Sequence, residues 1–317
     1  MATINSVPRN AAPSVRRKSP VETIELVLGG GGIKGFAHVG FLKAVEELRI
    51  NFGTVTGVSI GSIIAVLYVN GFSTSEIETI FAQELKAISP KKLARSMLLP
   101  ASVDRLIFGE EPISLLALMK ELVARYKLKP KSNLRLVAFN ALTREPVVFS
   151  GKYYDLAMAM AASCSIPFVF RPIENGKEIS LARWIRHWLS GKLRQDPDNE
   201  DSELLFDGGL HHPTPTAFCQ GPAIVAKLGF ASKPPAEDLP FADRFFHKLE
   251  KRAARYLDAH FPDPGGEHVV ITVGSGNVAA LSFGISQKQQ KALTRSAYLR
   301  TVTALKTAVA QGRVPVK

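Results

Sequence analysis

Residues 23–35, TIELVLGGGGIKG, constrain the fold more than any other stretch of the chain. A leucine-rich, β-branched run ends in four consecutive glycines and passes directly into a helical pattern. An apolar run without polar alternation belongs to a strand buried on both faces. From Gly35 to about Arg49, Phe36, Val39, Leu42, Val45 and Leu48 form one apolar stripe at helical spacing. FGTVTG (52–57) is then a second short strand, and a second apolar helix starts near Ser59. Strand, helix, strand, helix with continuous apolar strands predicts an α/β fold, with a parallel sheet covered on both faces.

Further elements follow the same logic. Residues 112–127 and 155–163 read as helices, NLRLVAFNAL and EPVVFS as strands joined by a turn, and IPFVFRPI as a strand or extended piece. HVVITVG (268–274) is a late buried strand, and 286–311 a closing helix. The expected organisation is a flexible basic arm at 1–22 and one catalytic domain at 23–312, with insertions at about 174–205 and 232–266. Within the first insertion, LARWIRHWLSGKL places Leu181, Trp184, Ile185, Trp188 and Leu189 on one helical side, and Arg183, Arg186, His187, Ser190 and Arg194 on the other. Such a helix either packs on the core or lies in a membrane interface.

Charge narrows the partners. Forty Lys and Arg against 28 Asp and Glu give a formal net charge of +12, which draws a protein to nucleic acid or to an anionic membrane surface. No recognition helix, zinc pattern or RNA-binding signature accompanies it, so no nucleic-acid partner is expected. Two cysteines, Cys164 and Cys219, indicate neither a disulfide framework nor a zinc site. The first twenty residues hold no apolar signal core, and GVSIGSIIAVLYVNGF (57–72) is too short to span a bilayer. The expectation is a cytoplasmic or peripherally membrane-associated protein.

The glycine loop admits three readings. Gly30, Gly32 and Gly35 satisfy G-x-G-x-x-G between a strand and a helix, the setting of a dinucleotide site. That site also needs an acid at the end of the next strand, where this chain has Thr56 and Gly57. A P-loop fails because Phe36, not lysine, follows Gly35. The third reading comes from GVSIG, Gly57 to Gly61, a G-x-S-x-G nucleophile elbow that exposes Ser59 at the carboxyl edge of the sheet. Adjacent parallel strands place their following loops side by side, so the amides after the first strand serve an oxyanion beside Ser59 rather than a phosphate.

A serine nucleophile needs a base. Asp207 followed by His211, His212 or His268 offers a nominal triad. LLFDGGL (204–210) also exposes Asp207 at the end of an apolar run, before Gly208 and Gly209, where it could act directly. The ordered GGGGIKG loop, GVSIG elbow and DGG box, supported by GFAHVGFLKAVEEL and AASCSIPFVFRPI, resemble the patatin-like phospholipase family over most of residues 24–310. The resemblance implies a three-layer α/β/α sandwich with a mainly parallel central sheet and hydrolysis of lipid acyl esters without metal or other cofactor. By position it implies Ser59 as nucleophile, Asp207 as proton acceptor and the amides around Gly31, Gly32 and Ile33 as oxyanion hole. Lys34 occupies the loop's basic position, as an ion-pair partner or a substrate contact. The substrate implied is a phospholipid or other acyl-ester lipid at an anionic membrane surface. A neutral lipase, a transacylase or a non-catalytic lipid-binding protein of the same fold are the alternatives. His211-His212-Pro213, where the family often has asparagine, is a departure.

Overall fold

A computed structural model describes residues 24–88, 113–167, 169–180, 183–184, 189, 203–229, 248, 250–252, 255–256, 259–260, 266–274, 278–282 and 284–315. The expected arm at 1–22, Leu181, Ile185 and Trp188, and most of the 232–266 insertion lie outside these residues. Two wholly buried runs, β1 (Glu25–Leu28) and β2 (Val55–Val58), pair in parallel at the centre of the sheet. On one side of β1 lie β8 (Ala223–Leu228) and β9 (Val269–Val273), both parallel. On the far side of β2 lies β3 (Leu134–Asn140), also parallel, with β4 (Glu145–Ser150) antiparallel to it. Antiparallel β7 (Leu204–Asp207) continues the sheet to the short hairpin of β5 (Ile173–Glu174) and β6 (Lys177–Glu178). The mainly parallel central sheet is as expected.

One register decides where the chemistry sits. Val137 of β3 pairs with Val58 of β2 and with Val148 of β4, whereas the next residue, Ala138, pairs with Asp207 of β7 and Val147 of β4. Strand β4 therefore occupies one edge of β3, and β2 and β7 share the other, meeting head to head. The carboxyl ends of β2 and β7 thereby face each other.

The helices whose full extent lies within the described residues are α1 (Gly35–Glu47), α2 (Ile60–Val69), α3 (Thr74–Ala87), α4 (Leu115–Arg125), α5 (Leu156–Cys164) and α6 (Gln287–Ala310). Their apolar sides join Leu26, Leu28, Leu134, Leu136 and Ile224 in one continuous core. Each fully buried aliphatic side chain there contributes roughly 1.5–3 kcal/mol. Helix α1 is buried around most of its circumference, not along a single stripe, because α6 covers its outer side. On the opposite face of the sheet, Val27, Ala223 and Val225 form one small cluster and Ile179, Trp184, Leu204 and Phe206 another. Trp184 packs edge-on against Phe206 at 5.8 Å, as the core-packing reading of that segment requires, while Leu189 is 73% exposed. IPFVFRPI differs from expectation: only Ile173 enters a strand, and Val169 and Phe170 N–H groups turn back onto Ile166. Pro167 and Pro172 deprive that segment of two ladder donors.

Candidate active site

The turn from β2 into α2 puts Ser59 at φ 55°, ψ −130°, a conformation that non-glycine residues hold only where the surroundings impose it. The flanking glycines let strand and helix meet closely enough to make the turn. A Cβ on Gly61 would lie 2.1 Å from the Leu28 carbonyl oxygen. Both backbone groups of Ser59 are held. Its N–H donates to Ser163 Oγ (3.0 Å), and its carbonyl accepts from Ser62 N–H (2.8 Å) and Ser62 Oγ (2.6 Å).

The head-to-head register brings Asp207 to this serine. Ser59 Oγ donates to Asp207 Oδ2 (2.6 Å), and Gly209 N–H donates to Oδ1 (2.7 Å). Asp207 is buried, and that desolvation pushes its carboxyl up to about 7, against the opposing pull of the bonds from Ser59 and Gly209. The candidate histidines stand elsewhere. His211 stacks on Phe139 (5.4 Å), whose pleat neighbour Ala138, the register partner of Asp207, points to the other face. His212 lies edge-on to Phe218 (5.2 Å). His268 directly precedes β9, at the amino edge of the sheet and away from Ser59. A further histidine, His38, is wholly buried and pushed down to about 4 by burial, and is therefore neutral. Its Nε2–H donates to the Gly29 carbonyl (2.8 Å), which fixes the tautomer and straps down the start of the glycine loop.

Several amides of the glycine loop are already engaged. Gly30 N–H donates to Pro213 (3.1 Å), Ile33 N–H to Ala280 (2.8 Å), Lys34 N–H to Gly31 (3.2 Å) and Gly35 N–H to Gly32. Among the described residues, the Gly31 and Gly32 N–H groups have no partner. Ile33, expected as a third donor, is committed to a contact 247 residues away in sequence. Gly32 has φ 56°, and a Cβ there would sit 2.1 Å from the Ala280 oxygen. Lys34 is an ion-pair residue. Its Nζ is buried, bonded to the Gly229 carbonyl (2.8 Å) and to Glu250, whose other oxygen accepts Ala280 N–H (2.7 Å). Sequence reasoning missed Glu250 and Ala280, which have no local motif. It also left Ser163 unassigned, although AASCSIP had been singled out.

Ser59 and Gly32 open into an apolar cavity that runs between α2, α3 and α4. Ile63, Leu67, Ile80, Leu118, Met119 and Phe170 are among its walls, and Glu84 is the sole charged residue among the described lining. Glu84 is neutralised by Arg125 at 2.6 Å.

The patatin-like phospholipase family model matches residues 26–219. The chain is 31% identical over 195 residues to the neuropathy target esterase sws of Drosophila grimshawi, covering 61% of this chain and 11% of that protein. It is 31% identical over 216 residues to patatin-like phospholipase domain-containing protein 6 of Mus musculus and of Homo sapiens, covering 67% of this chain and 14% of each. The chain thus spans only a small part of these relatives' length. Among solved structures, VipD from Legionella pneumophila aligns with a TM-score of 0.48 at 16% identity, over 91% of this chain and 68% of that one. The type III effector ExoU aligns with a TM-score of 0.40 at 16% identity, over 91% and 54%. The family match covers more than half of the sequence and encloses the glycine loop, Ser59 and Asp207, and on that ground this chain belongs to the patatin-like phospholipase family.

Proposed function

We propose that the chain is a lipid acyl hydrolase of phospholipase A or lysophospholipase type, acting through a Ser59–Asp207 dyad. The observation that carries this reading is the 2.6 Å bond from Ser59 Oγ to a buried carboxylate at the head of an apolar cavity. Ser59 Oγ attacks the ester carbonyl and Asp207 takes its proton. The tetrahedral oxyanion accepts hydrogen bonds from Gly31 and Gly32 N–H. Collapse expels the alcohol, which regains the proton from Asp207. A water deprotonated by the same carboxylate then attacks the acyl-serine, and Asp207 returns the proton to Ser59 Oγ as the fatty acid is released. A carboxyl group held at about 7 is a far better base than an ordinary aspartate, and its ionisation falls near neutral pH.

The apolar cavity suits a fatty-acyl chain. The net charge of +12 supports recruitment to an anionic lipid surface. No helix of the described residues is long and apolar enough to cross a membrane. Hydrolysis of positionally labelled phospholipids by the wild type, Ser59→Ala and Asp207→Ala tests the reading. Undiminished release by Ser59→Ala would refute it, and acyl transfer to a second lipid in place of fatty-acid release would assign a transacylase. Vesicle binding should weaken as salt is raised, and salt-insensitive binding would rule out electrostatic recruitment.

A further inference from the structure

Helix α5 ends in Ser163-Cys164-Ser165, and each of the three touches a different part of the dyad's framework. Ser163 Oγ accepts the Ser59 N–H (3.0 Å) while donating to the Val137 carbonyl (2.7 Å). Cys164 Sγ lies 3.6 Å from Ser62 Oγ, the hydroxyl that holds the Ser59 carbonyl. The Ser165 carbonyl accepts the Asp207 N–H (3.0 Å). The backbone N–H groups of both dyad residues are therefore anchored two residues apart on one helix end. Ser163 and Ser165 are wholly buried.

The Ser59 N–H lies just past the last β2 pairing and ahead of the first turn of α2, so neither ladder offers it a partner. A buried N–H left unpaired is costly, and so is a strained φ/ψ pair. Ser163 removes the first cost and opposes relaxation of the second. The same hydroxyl bonds to Val137, the residue of β3 where β2 gives way to β7. One side chain thus ties the elbow to the strand that sets the Ser59-to-Asp207 spacing.

We propose that the Ser163-Cys164-Ser165 end of α5 is the positioning element of the dyad, with the Ser163 hydroxyl fixing Ser59 in attack geometry. The inference rests on Ser59 and Asp207 acting as proposed above. It departs from a purely structural role for Ser163 in one respect: removing the hydroxyl slows chemistry while leaving the acyl-binding cavity intact.

The test compares Ser163→Ala, Ser163→Thr and the threonine isostere Ser163→Val on a water-soluble p-nitrophenyl acyl ester. Binding of a fluorescent fatty acid is measured in parallel. Misplacement of a reacting atom on the ångström scale costs on the order of 100-fold, so Ala and Val variants should lose roughly 10- to 100-fold in kcat. KM and fatty-acid affinity should stay within about twofold in both variants, because neither cavity wall nor ester contact is removed. Thr, which keeps the hydroxyl, should recover most of the kcat lost in Val. Wild-type kcat in Ala or Val, or Thr falling as far as Val, overturns the proposal. So does parallel loss of fatty-acid binding, or failure of all three variants to fold, either of which would make Ser163 a packing residue. A wild type without Ser59-dependent hydrolysis removes the dyad itself. That result differs from an active wild type matched by Ser163→Ala, which defeats the positioning role alone.

Discussion

Replacing Asp207 by asparagine should stabilise the protein at alkaline pH while abolishing turnover. Burial raises this carboxyl from an ordinary 3.8 to about 7. At 1.36 kcal/mol per pH unit, ionising it in the folded state costs on the order of 4 kcal/mol. The folded protein binds this proton more tightly than the unfolded chain does. The stability it contributes is therefore present below about pH 4, declines as pH rises to about 7, and is gone above that. Asparagine carries no charge at any of these values. Its Oδ1 can accept the Gly209 N–H and its Nδ2 can donate to Ser59 Oγ, so both bonds now made by the carboxylate keep partners. Urea unfolding of wild type and Asp207→Asn should differ by up to about 4 kcal/mol in favour of the variant at alkaline pH, with the gain shrinking towards zero near the ordinary carboxylate range. Wild-type kcat should rise through pH values near 7 and then level off, as the base ionises. A stability difference independent of pH, or a less stable variant at alkaline pH, would refute the assignment of a desolvated base.

Substitutions elsewhere probe the surroundings. Glu250→Gln leaves the buried Lys34 ammonium without its counter-charge and should cost about 3–5 kcal/mol, part of which Lys34→Met in the same chain should restore, as read by urea unfolding. Gly32→Ala forces a Cβ onto the Ala280 oxygen at a φ that favours glycine. It should lower kcat by about 100-fold through displaced amides, with fatty-acid binding retained. Met119→Trp narrows the apolar cavity and should reduce hydrolysis of hexadecanoyl esters far more than of butanoyl esters, a ratio measured in one competition assay.

The site was legible where chemistry is carried by local sequence. Ser59 and Asp207 each end an apolar run and sit beside glycines, and those two signals survive without knowledge of any partner. What could not be read was register. That β7 meets β2 head to head on one edge of β3 depends on pairings between residues about 80 and about 70 positions apart in sequence. Ile33 looked as available as Gly31 because its competitor, Ala280, arrives from the far end of the chain. Lys34 had two readings until Glu250 was placed against it. Among the elements, α5 was legible from its run of small residues, and α6 as a closing helix. Helix α3, strand β8 and the β5–β6 hairpin were not anticipated. β8 is a six-residue run that reads as a strand only once β1 and β9 flank it, and the hairpin lies inside a polar insertion. The prolines of IPFVFRPI outweighed its β-branched and aromatic content.

The central claim, that Ser59 attacks an acyl carbonyl, is tested most directly by covalent capture. An alkyl fluorophosphonate incubated with wild-type protein should form a single adduct, mapped by peptide mass spectrometry to Ser59, with ester hydrolysis lost in proportion to labelling. An adduct on another residue, or full labelling of Ser59 with hydrolysis unchanged, would contradict it.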